Sequence, residues 1–284
     1  MMGEIQSIAF ERTIIADGAI ATMLMEYGLG NGQSPEAFML EKPEALARIH
    51  RDYRLAGADI LTANTFGASR VNLATFGLEN RVYELCKIAI SLAKSAGDGL
   101  VAGSIGPVLS KRDLESKELH SVFAEQAQAL EEGGADLIII ETMTDIEEAK
   151  IALIAAKEIT KLPIIVQVSI ANDSGGSKDI ISREAAIKLG LIKPFGIGSN
   201  CGRAPSDMID IIAAMRAEWG GVICAEPSAG LPSIVDGKPI WHLEPEEMAD
   251  IAVELERVGA NIIGSCCGST PEHTNAIVKK LSKM

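Results

Sequence analysis

Residues 136–159 read DLIIIETMTDIEEAKIALIAAKEI. The run Asp136–Ile140 is short, apolar and rich in β-branched side chains, which predicts a strand buried on both faces. It ends at Glu141, and Asp145 then stands as an N-cap before a helix over Ile146–Ile159. A buried strand leading directly into a helix is the repeating half of a parallel βαβ sheet.

The same unit recurs on either side. Upstream, Thr13–Ala16 ends at Asp17-Gly18 and is followed by an amphipathic stretch, Pro43–Ala56, that closes at Gly57. Asp59–Ala63 leads through Asn64-Thr65-Phe66 to a helix near Glu79–Ser95, and Leu100–Ser104 through Gly106-Pro107 to one near Glu118–Glu132, closed by Gly133-Gly134. Downstream, Pro163–Ile170 precedes a Gly/Ser/Asp loop at Asn172–Lys178 and a helix from Ser182 to Leu189. Phe195–Ser199 ends at Asn200-Cys201 before a helix at Pro205–Trp219, and Val222–Glu226 ends at Pro227-Ser228-Ala229-Gly230 before one at Pro245–Val258. Asn261–Gly264 runs into Ser265-Cys266-Cys267-Gly268, and Pro271-Glu272 opens the last helix.

Eight such repeats, with no linker between them, match a closed (β/α)8 TIM barrel forming one domain over residues 1–284. An open doubly wound α/β sheet is the alternative. It calls for a glycine-rich dinucleotide fingerprint after the first strand, and Asp17-Gly18-Ala19-Ile20-Ala21 lacks the spacing. With 47% hydrophobic but only 4% aromatic residues, the core must be aliphatic, as strands buried on both faces require.

A net charge of −13 without a Lys/Arg cluster excludes a nucleic-acid partner. No apolar stretch approaches the ~20 residues that cross a bilayer, and Met1 to Arg12 lacks the form of a signal peptide. A soluble, cytoplasmic protein is expected. Five cysteines, two of them adjacent, do not form the even framework of a disulfide scaffold, so in a reducing compartment they are free, catalytic or metal-bound.

Barrels of this kind carry their chemistry at the carboxyl ends of the strands. There lie Asp17, Asn64, Ser104, Glu141, Asn200, Cys201, Glu226, Cys266 and Cys267, whereas Cys86 in a helix and Cys224 inside a strand read as small buried hydrophobes. Neighbours in a regular strand face opposite ways, so Cys266 and Cys267 can share an ion only if the strand ends there, as the flanking Gly264 and Gly268 permit. With Cys201 they would make a three-thiolate set that leaves a fourth position open, the form of a catalytic zinc site. The pattern is not a standard C-x-x-C pair, and three merely buried cysteines fit it as well. Asp17 likewise reads as a turn cap, and Glu141 as half of an ion pair.

Taken together, the motifs resemble those of the homocysteine S-methyltransferase family, which includes the homocysteine-binding module of cobalamin-dependent methionine synthase and the betaine-homocysteine methyltransferases. The likeness spans nearly the whole chain. It rests on Asp17-Gly18-Ala19, Ala63-Asn64-Thr65-Phe66-Gly67, Gly103-Ser104-Ile105-Gly106-Pro107, Glu141-Thr142-Met143, Gly198-Ser199-Asn200-Cys201, Ala229-Gly230-Leu231-Pro232 and Ser265-Cys266-Cys267-Gly268-Ser269-Thr270-Pro271-Glu272-His273. The resemblance implies Zn2+ on Cys201, Cys266 and Cys267, and a metal-held substrate thiolate as the nucleophile that accepts a methyl group. It implies L-homocysteine as acceptor and methionine as product, with Asp17 and Glu141 on the substrate ammonium. The substrate carboxylate is then expected at the backbone of Gly18 and Ala19 and at Ser104, with Asn200 lining the site or orienting its neighbours. None of the four histidines is expected to bind metal.

The chain departs from the family at Ile20-Ala21, Arg203-Ala204 and Pro227-Ser228, which bear on pocket shape rather than on the thiol set. The motifs lie nearest the methionine-synthase module, and no corrinoid or folate module is present, so a methylcorrinoid on a separate protein is the expected donor. S-adenosylmethionine, S-methylmethionine or betaine as donor, another thiol as acceptor, and a non-catalytic zinc- or thiol-binding barrel are the alternatives. A metal-free aldolase-like or phosphate-binding barrel would need a Schiff-base lysine or a phosphate loop near the late strands, and neither is evident.

Overall fold

The computed structural model describes residues 8–109, 114–170, 177–202, 204–235 and 237–283. Its main sheet has eight parallel strands: β1 (Ile14–Ile15), β2 (Ile60–Thr62), β3 (Leu100–Ile105), β4 (Leu137–Met143), β5 (Ile164–Val168), β6 (Gly196–Cys201), β7 (Val222–Pro227) and, after a hairpin of β8 (Ser233–Val235) and β9 (Lys238–Ile240), β10 (Ile262–Ile263). They run in the order β1-β10-β7-β6-β5-β4-β3-β2, and a parallel bridge from Ala16 to Ile60 joins the two ends. The amide of Asp59 donates to the Ile15 carbonyl at 2.7 Å and that of Asp17 to the Ile60 carbonyl at 3.0 Å, so the ring is closed. The barrel expected from eight repeats is therefore the fold.

Side-chain alternation explains what the ring encloses. Ile15, Leu61, Val101, Ile138, Ile140 and Ile263 face outward into the layer beneath the helices, whereas Ile14, Ile60, Leu137, Ile139, Ile165 and Ile262 fill the barrel as a separate buried cluster. Following the inward positions two residues at a time toward the carboxyl ends, aliphatic side chains give way to Ser104, Glu141, Gln167, Asn200 and Glu226. One end of the core is thus polar, and burial there demands partners.

The helices follow the expected capping logic. Gly57 and Gly134 end the helices Pro43–Ala56 and Ser116–Gly133 in left-handed conformation, and Asp145 accepts from the Glu147 amide at 2.9 Å to start Ile146–Ile159. The helix expected from Ser182 begins earlier, spanning Lys178–Gly190. Strands β4 and β6 run past their expected ends to Met143 and Cys201. The short helices Ala21–Glu26, Pro35–Glu41 and Arg70–Ala74 and the β8–β9 hairpin are additional. Of the loop Asn172–Lys178, residues 172–176 lie outside the described residues, as does Arg203. No helix among the described residues is long and apolar enough to cross a membrane.

Candidate functional site

The three cysteines singled out at the strand ends converge. The Sγ atoms of Cys201, Cys266 and Cys267 all lie within 4.8 Å of one another, and those of Cys266 and Cys267 are 4.0 Å apart. A tetrahedral ion with sulfur at about 2.3 Å needs neighbouring sulfurs roughly 3.8 Å apart, so this set can hold a metal ion with little movement. Local backbone makes the convergence possible. Cys201 closes β6 with φ +64 and Gly268 follows the pair with φ +82, so both segments leave the ladder at their thiols. The amide of Ala229 donates to the Cys267 carbonyl at 2.8 Å and that of Cys266 to the Pro227 carbonyl at 2.8 Å, which fixes the two segments against the end of β7.

Thiol hydrogen bonds from Cys266 and Cys267 hold the Cys201 thiol far below its ordinary range, while the same sharing pushes Cys266 up. The trio therefore ionises first at Cys201. Cys86 and Cys224 are fully buried, as expected of small hydrophobes, and burial drives both thiols upward, Cys86 to about 12.

Below the sulfurs lies the polar layer. Asp17 is buried and its Oδ2 accepts the Thr62 amide at 2.8 Å; desolvation raises it to about 7. Glu141 accepts Ser104 Oγ at 2.5 Å and Asn200 Nδ2 at 3.0 Å, and burial raises it as well. Asn200, fully buried, also donates to Thr142 Oγ1 at 2.8 Å, accepts the Thr142 amide at 2.8 Å, and has Nδ2 3.9 Å from Cys266 Sγ. It thereby ties the carboxylate to the thiol set and holds Thr142 at φ +59.

The hydroxyl of Ser104 donates to Glu141, and the Ala19 amide donates to Ser269 Oγ at 3.1 Å. Tyr53, missed in the sequence because it reads as a helix core residue, donates to the carbonyls of Ala19 at 3.0 Å and Ser269 at 3.3 Å. It pins the loop after β1 to the loop after Cys267. Tyr53→Phe is expected to lower unfolding stability by about 1–3 kcal/mol, read from urea denaturation, because two buried carbonyls lose their donor.

Other residues take structural roles. Asn64 donates to the Pro35 carbonyl at 2.8 Å and orients a rim loop. His273 caps its own helix and contacts the Leu243 carbonyl at 2.9 Å, and His50 is buried on the helix Pro43–Ala56. Glu226 and Gln167 were not assigned a role in the sequence. The period-two alternation from Ile165 and Cys224 was the signal that places both inside the barrel.

A closed parallel barrel with three thiols gathered over buried carboxyls at its carboxyl-end mouth defines a class, the thiol-centred (β/α)8 enzymes. A model of the family described as homocysteine S-methyltransferase matches residues 14–281, so the chain belongs to the homocysteine S-methyltransferase family. A methionine synthase from Mycobacterium leprae (strain TN) is 26% identical, covering 96% of this chain and 24% of that protein; the chain thus spans about a quarter of that relative's length. The metallated form of the homocysteine methyltransferase MmuM from Escherichia coli superposes with a TM-score of 0.80 at 22% identity, covering 97% of this chain and 99% of that one. A methyltransferase from Methanosarcina mazei gives 0.62 at 13% identity, covering 98% and 97%. At these identities the two structures establish the shared fold.

Proposed function

We propose that the chain transfers a methyl group to the thiol of L-homocysteine, forming methionine, with Zn2+ held by Cys201, Cys266 and Cys267. The observation that carries this reading is the placement of three mutually close sulfurs directly above buried carboxyls in a family of S-methyltransferases. Soft thiolate sulfur suits zinc, and three protein ligands leave one position for an incoming thiol. A thiol taking that position on a zinc ion would lose its proton readily and react as an anion at neutral pH.

The chain's own residues do the rest. Asp17 and Glu141 take the substrate ammonium, whose arrival offsets the desolvation that raises both carboxyls. Asn200 and Ser104 orient Glu141. The Gly18 backbone faces the substrate carboxylate. In the transfer the thiol gives up its proton to solvent, its sulfur forms the new S–CH3 bond, and the donor keeps the electron pair of the bond that breaks. A methylcorrinoid carried on a separate protein is the proposed donor. We place the barrel, residues 1–284 acting as one unit, in the cytoplasm, where three free thiols stay reduced.

Product analysis with homocysteine and a panel of methylcobalamin, S-adenosylmethionine, S-methylmethionine and betaine tests the reading. Methionine is expected from methylcobalamin, above the rate with the other three. Homocysteine binding without methylated product from any donor would instead establish a non-catalytic thiol-binding barrel.

A further inference from the structure

The Asp17–Glu141 pair leaves one buried carboxyl without a role. Glu226 is the penultimate residue of β7, on the inward face, paired in register with Asn200, the residue that holds Glu141. On its other side Gly264 follows directly on β10. A side chain there would collide with Ala16 Cβ at 2.8 Å, the Asp17 carbonyl at 2.9 Å and Glu226 Cγ at 3.2 Å, so Glu226 lies against the strand that bears Asp17. Its Oε2 accepts Gln167 Nε2 at 2.9 Å, and the same nitrogen donates to Cys224 Sγ at 3.1 Å. Gln167 reaches β7 from β5 because the strand between them has Gly198 at that level, where a Cβ would stand 1.9 Å from the Cys224 carbonyl.

Two observations point to a cationic ligand. Among the described residues, the hydrogen bonds of Asp17, Glu141 and Glu226 come from neutral groups; the Arg54 guanidinium, engaged by the Ala58 and Leu100 carbonyls, acts on Asp17 only through space, and no Lys or Arg ion-pairs with Glu141 or Glu226. Independently, Gln167 Oε1 is fully buried with no hydrogen-bond partner, an acceptor inside the barrel that lacks a donor. A primary ammonium brings three N–H donors and a positive charge, which answers both.

We propose that Glu226, held by Gln167, is a third carboxylate of the ammonium subsite and makes the enzyme selective for acceptors with a free amino group. The inference rests on the methyl-transfer reading above. Burial and repulsion from Glu141 and Asp17 raise Glu226 to about 8, the state of a carboxyl whose counter-charge arrives with the ligand.

Calorimetric titration of the zinc-loaded enzyme with L-homocysteine and with 4-mercaptobutanoate, which keeps the thiol and carboxylate but lacks the amino group, tests it. Glu226→Gln is expected to weaken homocysteine about tenfold, the loss of one charge-assisted hydrogen bond, while 4-mercaptobutanoate changes less than about twofold. Glu226→Asp, which keeps the charge but withdraws it by one methylene, is expected to fall between. An unchanged preference for homocysteine in Glu226→Gln, with wild type binding normally, overturns the role of Glu226 alone. Wild type that binds neither thiol overturns the methyl-transfer reading and this inference with it.

Discussion

Cys201→Ser is expected to lose metal and methyl transfer together. The substitution replaces one sulfur with a smaller, much harder and far less acidic oxygen, so it cannot supply the third soft anion. The backbone reason is equally specific: Cys201 is held at φ +64 at the end of β6 and accepts hydrogen bonds from both other thiols, so no neighbouring side chain can take its place. Losing even an outer-shell partner costs roughly 10–100-fold in affinity or activity, and a direct ligand is expected to cost more. Metal content per chain and methionine formation, measured on the same preparation, check this. Full turnover by a metal-free Cys201→Ser protein would remove the metal from the reaction.

The second large effect is on stability. Glu226→Gln is expected to stabilise the ligand-free protein increasingly as pH rises. Glu226 has a folded value near 8 against an ordinary 4.5, so the folded state binds its proton more tightly than the unfolded chain. The sign follows: the stability this group contributes is complete below about pH 4.5 and is lost as pH climbs to about 8, amounting to on the order of 5 kcal/mol. Glutamine keeps the shape and an acceptor for Gln167 without the charge. Urea denaturation of wild type and variant from pH 5 to 9 should show a gap that widens with pH and levels off above 8. A flat gap would mean that Glu226 is already ionised in the folded state. The variant would then be sturdier and bind its amino-acid acceptor worse, a trade that buried functional charges commonly impose.

Much of this arrangement was legible beforehand, for identifiable reasons. Aliphatic runs broken by Asp17, Glu141, Cys201 and Cys266 marked the strand ends, since a change from β-branched to polar residues coincides with the rim of a barrel. Gly57 and Gly134 marked helix ends because a left-handed residue is needed there. What escaped notice depends on facing. Ser104 and Glu141 are 37 residues apart and Gln167 and Glu226 are 59 apart, so their pairing exists only once the strands assemble side by side. The helices Ala21–Glu26 and Arg70–Ala74 are too short to show a period. The exposed hairpin of β8 and β9 gives no burial pattern to read.

The ring is not equally strong around its circumference. β4 and β7 are long ladders, but β1 and β10 contribute two residues each, and the β1 segment meets β2 through one bridge. Asp17, Cys266 and Cys267 all hang from that thin seam. An ion clasped by Cys201 and the vicinal pair would fasten the segment after the last strand to β6, two strands away, and so tie this thin arc to the sturdier wall.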